Sequence, residues 1–280
     1  MGGAPCPPSR LDRVFSNPAP MLSETWRRAP RRATIDLAAR TAPKRRMANS
    51  PSANRFKAVF FDLDGTIVDI HGPLFNAART ALEQIGHAPP LTRERYRDAI
   101  ANGDFYLGLP DDQRDAYMRL AYLNLVLEVE RIDAPTVLAH VPETLAELKR
   151  RDYATAIITS RPGDAARLIE KLARVGLARY FDQIITQSSF SMRALDKSAS
   201  LADAAARAGV APRQCVYVGD EPRDMMAAIN AGYGARIAVA TGPATLHQLA
   251  SHPEYPAHYV MRTMGELIEL LAKIEHAQPQ

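Results

Sequence analysis

"KAVFFDLDGTIVD", residues 57–69, joins an apolar run to three carboxylates, Asp62, Asp64 and Asp69. Ala58 to Phe61 are apolar in succession, without the alternation of a strand that has one wet face. Such a run suits a short strand buried on both faces, as in a parallel sheet. A buried strand carries an unpaired charge only at high cost. The acids are therefore expected just past its carboxyl end, where open α/β sheets bind ligands. Asp62 and Asp64 lie two apart and point the same way in extended backbone, and Gly65 permits a sharp change of direction. Like charges this close stay ionised only beside a cation or a shared proton. Read alone, a D-x-D-G stretch is more often a solvated turn.

Downstream, residues 73–132 read as helices with little strand signal. "PLFNAARTALEQIG" spaces its apolar residues helically and ends at Gly86, and Thr92 and Asp111 are the expected N-caps of the next two helices. From about residue 140 the texture alternates. "VPETLAELKRR", "DAARLIEKLARVG", "SLADAAARAG" and "DMMAAINAG" read as helices, interleaved with the strands "ATAII", "FDQIIT", "CVYV" and "RIAVA". The fold class is α/β, a Rossmann-like parallel sheet flanked by helices. An all-helical segment, residues 70–138, interrupts a core made of residues 56–69 and 139–280. No internal repeats are found.

Three further strand ends carry polar groups. "ATAIITSRPG" ends in Thr159, Ser160 and Arg161; "CVYVGDEPRD" ends in Gly219 and Asp220, with Asp224 four residues on. Pro222 suits the first turn of a helix, and acids beside it are favoured by the helix dipole whatever their function. Lys197 lies in a polar loop before a helix, and alone it reads as a solvated surface charge. In a parallel sheet all carboxyl ends open on one edge, so these groups converge. Several carboxylates, a hydroxyl and a lysine suit magnesium, which takes oxygen ligands and often shares them with a phosphate.

Composition narrows the remaining classes. The 280 residues are 46% hydrophobic and 24% charged, which is ordinary globular material. The net charge of +4 averages two unlike regions. Residues 1–55 hold 11 basic and 3 acidic residues and eight of the 21 prolines, whereas residues 56–280 hold 24 basic and 28 acidic. The first region is expected to be a disordered basic extension, translated upstream of a start at Met47. Its alternatives are a nucleic-acid-binding arm or an Arg-rich presequence. Cys6 and Cys215 are the only cysteines, which excludes a disulfide framework and fits a reducing, cytoplasmic setting. Cys215, in an apolar strand, reads as a small buried hydrophobe. No apolar run reaches 18 residues, so no membrane span is expected, and "MGGAPCPPSR" lacks the apolar stretch of a signal peptide.

Together these stretches resemble the haloacid dehalogenase-like superfamily, in its phosphoglycolate phosphatase-like branch with a helical cap. The resemblance covers roughly residues 56–273. "FFDLDGTIVD" matches the first family motif, "IITSRP" the second, Lys197 the third and "VYVGDEPRD" the fourth. It implies a Mg2+-dependent phosphatase acting on a small phosphorylated metabolite, as a monomer or homodimer, with no membrane or nucleic-acid partner. Asp62 would be the nucleophile and Asp64 the general acid and base. Thr159 and Ser160 would bind the phosphoryl group, and Lys197 would balance its charge. The metal would sit at Asp62, the Asp64 carbonyl and Asp220, with Asp224 in support. Thr66 would stabilise the turn, and residues 70–138 would form the cap. Ser198 stands where the family usually has proline after the lysine, and Arg161 and Arg193 are possible substitutes for the lysine's charge. His71 would be an exposed hinge residue. Arg93, Arg95, Arg97, Arg114 and Arg119 lie in the cap, where substrate is read. Asp64 argues against the dehalogenases, which lack that second acid. A sugar-phosphate mutase and a non-catalytic binding protein on the same fold are the alternatives.

Overall fold

A computed structural model of the chain describes residues 34–36, 55–187 and 196–276. Ala58–Phe61 forms a strand, β2, that is buried along its whole length. Val59 and Phe61 pack into a core on one face of the sheet, while Ala58 and Phe60 pack into a second core on the other. The four-residue apolar run thus serves two cores at once.

After β2 come α1 (His71–Gln84), α2 (Arg93–Ala101) and α3 (Asp111–Arg131). Thr92 caps α2 by accepting the Arg95 amide at 3.2 Å. Pro110, not Asp111, is the N-cap of α3; Asp111 and Asp112 sit one step inside, in the first turn, where the helix dipole favours acids. These helices share a small core of their own that includes Phe75, Leu82, Tyr96, Leu107 and Tyr117. The segment leaves and re-enters the sheet region along adjacent backbone: the Asp69 amide donates to Thr136 at 2.8 Å and the Leu138 amide to Ile67 at 3.1 Å.

The alternating remainder runs α4 (Val141–Arg150), β3 (Ala154–Pro162), α5 (Ala165–Arg174), β4 (Gln183–Gln187), α6 (Ser198–Ala208), β5 (Cys215–Gly219), α7 (Pro222–Asn230) and β6 (Ala235–Val239). It ends in α8 (Leu246–Ala250), β7 (Tyr259–Met261) and α9 (Leu267–His276). Strands β2 to β7 are parallel in the order β4-β3-β2-β5-β6-β7. This is the doubly wound order, and its topological switch point lies between β2 and β5.

One stretch of the basic extension departs from the disorder expected of it. Thr34–Asp36 forms β1, which pairs antiparallel with β4, Ile35 opposite Ile184. The open edge of β4 offers unpaired backbone groups that an extended triplet can satisfy, and three residues are too few to leave a periodic signal. Cys6, Met47 and Arg193 lie outside the described residues.

The helical segment is fastened to the sheet layer at one end. Lys171 on α5 is 4% exposed, and its ammonium donates to the Val129 and Glu130 carbonyls, at 3.0 and 2.8 Å, in the last turn of α3. Arg167 and Arg174, on the same stripe of α5, pair with Glu130 and Asp133, each at 3.2 Å. Cations at a helix C-terminus meet its unsatisfied carbonyls and the negative end of its dipole. Among the described residues no helix is long and apolar enough to cross a membrane.

At the amino-terminal end of β6, far from the carboxyl edge, Gly234 touches other backbone. A Cβ added there would lie 2.0 Å from the Arg213 carbonyl oxygen. Gly234→Ala should therefore destabilise the protein by about 1–3 kcal/mol, a typical cost of overpacking. Urea unfolding checks this; an unchanged midpoint would show that the loop yields freely.

Candidate active site

Asp62 follows β2 directly, with its amide donating to the Val218 carbonyl of β5 at 2.9 Å. Asp220 follows β5, so the two acids flank the switch point. Asp224 enters from the first turn of α7, where its Oδ2 accepts the Glu221 amide at 3.2 Å as half of a capping box. One ligand atom from each of Asp62, Asp220 and Asp224 falls within a 4.8 Å span, and all three residues are buried.

Lys197, the residue before α6, is 3% exposed rather than solvated. Its Nζ donates to Asp62 Oδ1 and, at 2.7 Å, to Asp224 Oδ1. Burial alone would lower the lysine pKa, but Asp224 and Asp62 override it and hold the ammonium charged, well above its ordinary value. With Lys197 in place, neither Arg161 nor Arg193 is needed as its substitute. Both Asp224 oxygens are engaged, one by the lysine and one by the helix cap, so Asp224 positions Lys197.

One ammonium does not neutralise three carboxylates. Burial raises Asp62 to about 7 despite Lys197, with Asp224 and Asp64 adding to the rise. Burial also raises Asp220 well above the carboxylate range, helped by Glu221 and Asp62. Asp220 Oδ1 accepts the Thr66 hydroxyl at 3.1 Å, so Thr66 serves this acid as well as the turn. Backbone presses on the same carboxylate from two sides. A Cβ on Gly65, whose φ is +76°, would come 2.4 Å from Asp220 Oδ2, and one on Gly242 would come 1.7 Å from it. The donor set is all oxygen, buried and negatively charged, which fits a hard divalent cation.

Asp64, on the turn, is gripped by Arg161. The guanidinium donates from Nε to Asp64 Oδ2 at 2.6 Å and from a terminal nitrogen to Oδ1. Arg161 stands at the strand end where the sequence places it, but its partner, Asp64, is not legible there. Gly242 was likewise not singled out, although "TGP" follows an apolar strand as the other site stretches do. Thr159 is buried and its hydroxyl oxygen accepts the Arg161 amide at 3.1 Å, leaving its proton free to donate. The Ser160 Oγ is buried without a hydrogen-bond partner among the described residues. A buried hydroxyl in that condition calls for a partner, which a water, an ion or a ligand can supply. Tyr122 of α3 brings the helical segment to the site; burial pushes its phenol up to about 12, and it feels both Arg223 and Asp64. His71 is exposed, as expected of a hinge residue, yet its Nε2 donates to the Thr241 carbonyl at 3.1 Å.

Residues 56–232 match the family described as haloacid dehalogenase-like hydrolase. A phosphoglycolate phosphatase of Xylella fastidiosa (strain Temecula1) is 30% identical, over 80% of this chain and 96% of that protein. An N-acetylmuramic acid 6-phosphate phosphatase of Pseudomonas aeruginosa is 27% identical, over 78% of this chain and 95% of that protein. Among solved structures, a haloacid dehalogenase-like family hydrolase from Streptococcus pneumoniae superposes with a TM-score of 0.58 at 23% identity, covering 79% of this chain and 99% of that one. The last of these similarities is one of fold.

The Asp62 pKa has a consequence for stability in chelator. A carboxyl raised from 3.8 to about 7 in the folded state contributes stability that is complete below the lower value and lost as pH rises through the upper one. The difference in unfolding midpoint between Asp62→Asn and wild type should therefore grow in favour of the variant from pH 4 to 7. Guanidinium titrations across that range measure it, and a flat difference would mean that Asp62 is not held in this way.

Proposed function

We propose, for a chain that belongs to the haloacid dehalogenase-like hydrolases and is a phosphatase, that Asp62 is the nucleophile of a Mg2+-dependent hydrolysis of small phosphate monoesters. The observation that carries this reading is the buried excess of carboxylate over ammonium at the switch point, next to an unsatisfied hydroxyl. Asp62 and Asp220, with the Asp64 backbone carbonyl, would hold the metal. When bound it neutralises charge on the carboxylates and the phosphoryl group, letting one anion approach another.

The chain's own groups do the rest. Lys197 occupies Asp62 Oδ1, while Oδ2 has no partner among the described residues and is the atom to attack phosphorus. The new Oδ2–P bond forms as the ester P–O bond breaks, giving an aspartyl-phosphate and an alkoxide that takes its proton from Asp64. A water deprotonated by Asp64 then attacks phosphorus, the Oδ2–P bond breaks, and inorganic phosphate leaves with Asp62 restored. Thr159 and Ser160 donate their hydroxyls to phosphoryl oxygens, and Lys197 balances the charge that remains. The Arg161 fork engages both Asp64 oxygens. Donation to the leaving oxygen requires Asp64 to part from the fork, so the first step involves displacing Arg161.

Residues 70–138 act as a cap that excludes bulk water and reads the leaving group. The substrate is a phosphorylated acid or sugar, a class to which the substrates named for the Xylella and Pseudomonas relatives belong.

Chelation should abolish turnover of p-nitrophenyl phosphate and magnesium should restore it, with calcium a poor replacement because it takes more ligands at longer range. Asp62→Asn should lower kcat on the order of 10³-fold or more while the protein stays folded. Steady-state assays with metal titration and circular dichroism decide this. Full activity in chelator, or in the variant, would overturn the assignment.

A further inference from the structure

A cavity of about 380 Å³ lies between α2 and the loop after β6, lined among others by His71, Arg97, Gly242, Leu246 and Arg262. Gly242 is shared with the carboxylate cluster, since it is the residue whose Cβ would strike Asp220. The cavity therefore adjoins the reaction centre with one glycine between them. None of its lining side chains is acidic.

Arg93, Arg95, Arg97, Arg114 and Arg119 of the helical segment are not equivalent. Arg93 stacks over the Phe75 ring at 4.5 Å, and Arg95 donates to the Leu107 carbonyl at 3.1 Å. Arg114 pairs with Asp111 at 2.6 Å, and Arg119 also has a partner. Arg97 lines the cavity with no side-chain partner among the described residues, and Arg262, from the stretch after β7, faces it in the same condition. Two exposed guanidiniums without side-chain partners, one from α2 and one from the stretch after β7, thus line one cavity that is otherwise largely apolar and offer charged donors to an anion there.

We propose that this cavity takes the alcohol part of the substrate, and that this part is ring-sized and carries a second negative charge held by Arg97 and Arg262. The inference rests on the phosphatase reading above and narrows its substrate class. Sites for ring-sized ligands begin at about 300 Å³. A two-carbon acid would leave most of this one empty.

Three esters separate size from charge: 6-phosphogluconate is large and anionic beyond its phosphate, glucose 6-phosphate is large and neutral there, and phosphoglycolate is small and anionic. The wild-type protein should show its highest kcat/KM on 6-phosphogluconate. Arg97→Ala and Arg262→Ala should each reduce the ratio of kcat/KM for 6-phosphogluconate over glucose 6-phosphate by roughly 10-fold or more, the loss of a charged hydrogen bond. Arg97→Lys should recover much of it. A preference for phosphoglycolate, or a ratio that neither alanine variant alters, would overturn the inference and leave the phosphatase reading intact. No magnesium-dependent turnover even of p-nitrophenyl phosphate would overturn both.

Discussion

The structure is organised around a concentration of like charge that the protein cannot neutralise alone. Asp62, Asp220 and Asp224 are buried together against a single lysine, and burial magnifies every uncompensated charge. Such a cluster persists only if the surrounding backbone leaves it no other arrangement. The parallel register of β2 and β5 sets the first two acids side by side, the capping box of α7 fixes the third, and the close approach of Gly65 and Gly242 leaves Asp220 nowhere to turn. A buried all-oxygen cluster held this way fits a hard divalent cation.

The fold was legible where burial on both faces wrote itself into composition. Ala58–Phe61 and Cys215–Gly219 need apolar residues at every position because each faces two cores, and no exposed strand or helix has that requirement. Convergence of the strand-end acids followed from parallel topology, which makes sequence distance irrelevant. The elements that escaped are those whose reasons lie elsewhere in the chain. β1 exists because β4 has an open edge, and β7 is three residues long. Pro110 caps α3 through its own backbone conformation, where the residue types alone favoured Asp111.

Within the site, legibility stopped at the reach of a side chain. Short residues at strand ends point where the strand points, so Asp62, Thr159 and Asp220 stand at the edge that spacing assigned to them. Arg161 and Lys197 have long stems, and their ends are set by whichever carboxylate they find. Lys197 could be taken for a surface charge and is instead enclosed; Arg161 could be taken for a substitute lysine and instead grips Asp64. Local pattern gives the root of such a residue but not its tip.

The fastening of α3 to α5 also has a mechanical meaning. A helix pinned at its last turn by a buried ammonium and two flanking ion pairs is a lever with its fulcrum at that end. Because the same end is held both through backbone carbonyls and through ion pairs, a rotation about it would keep the carbonyl contacts to Lys171 while the exposed pairs re-form, so the helical segment would pivot there rather than detach.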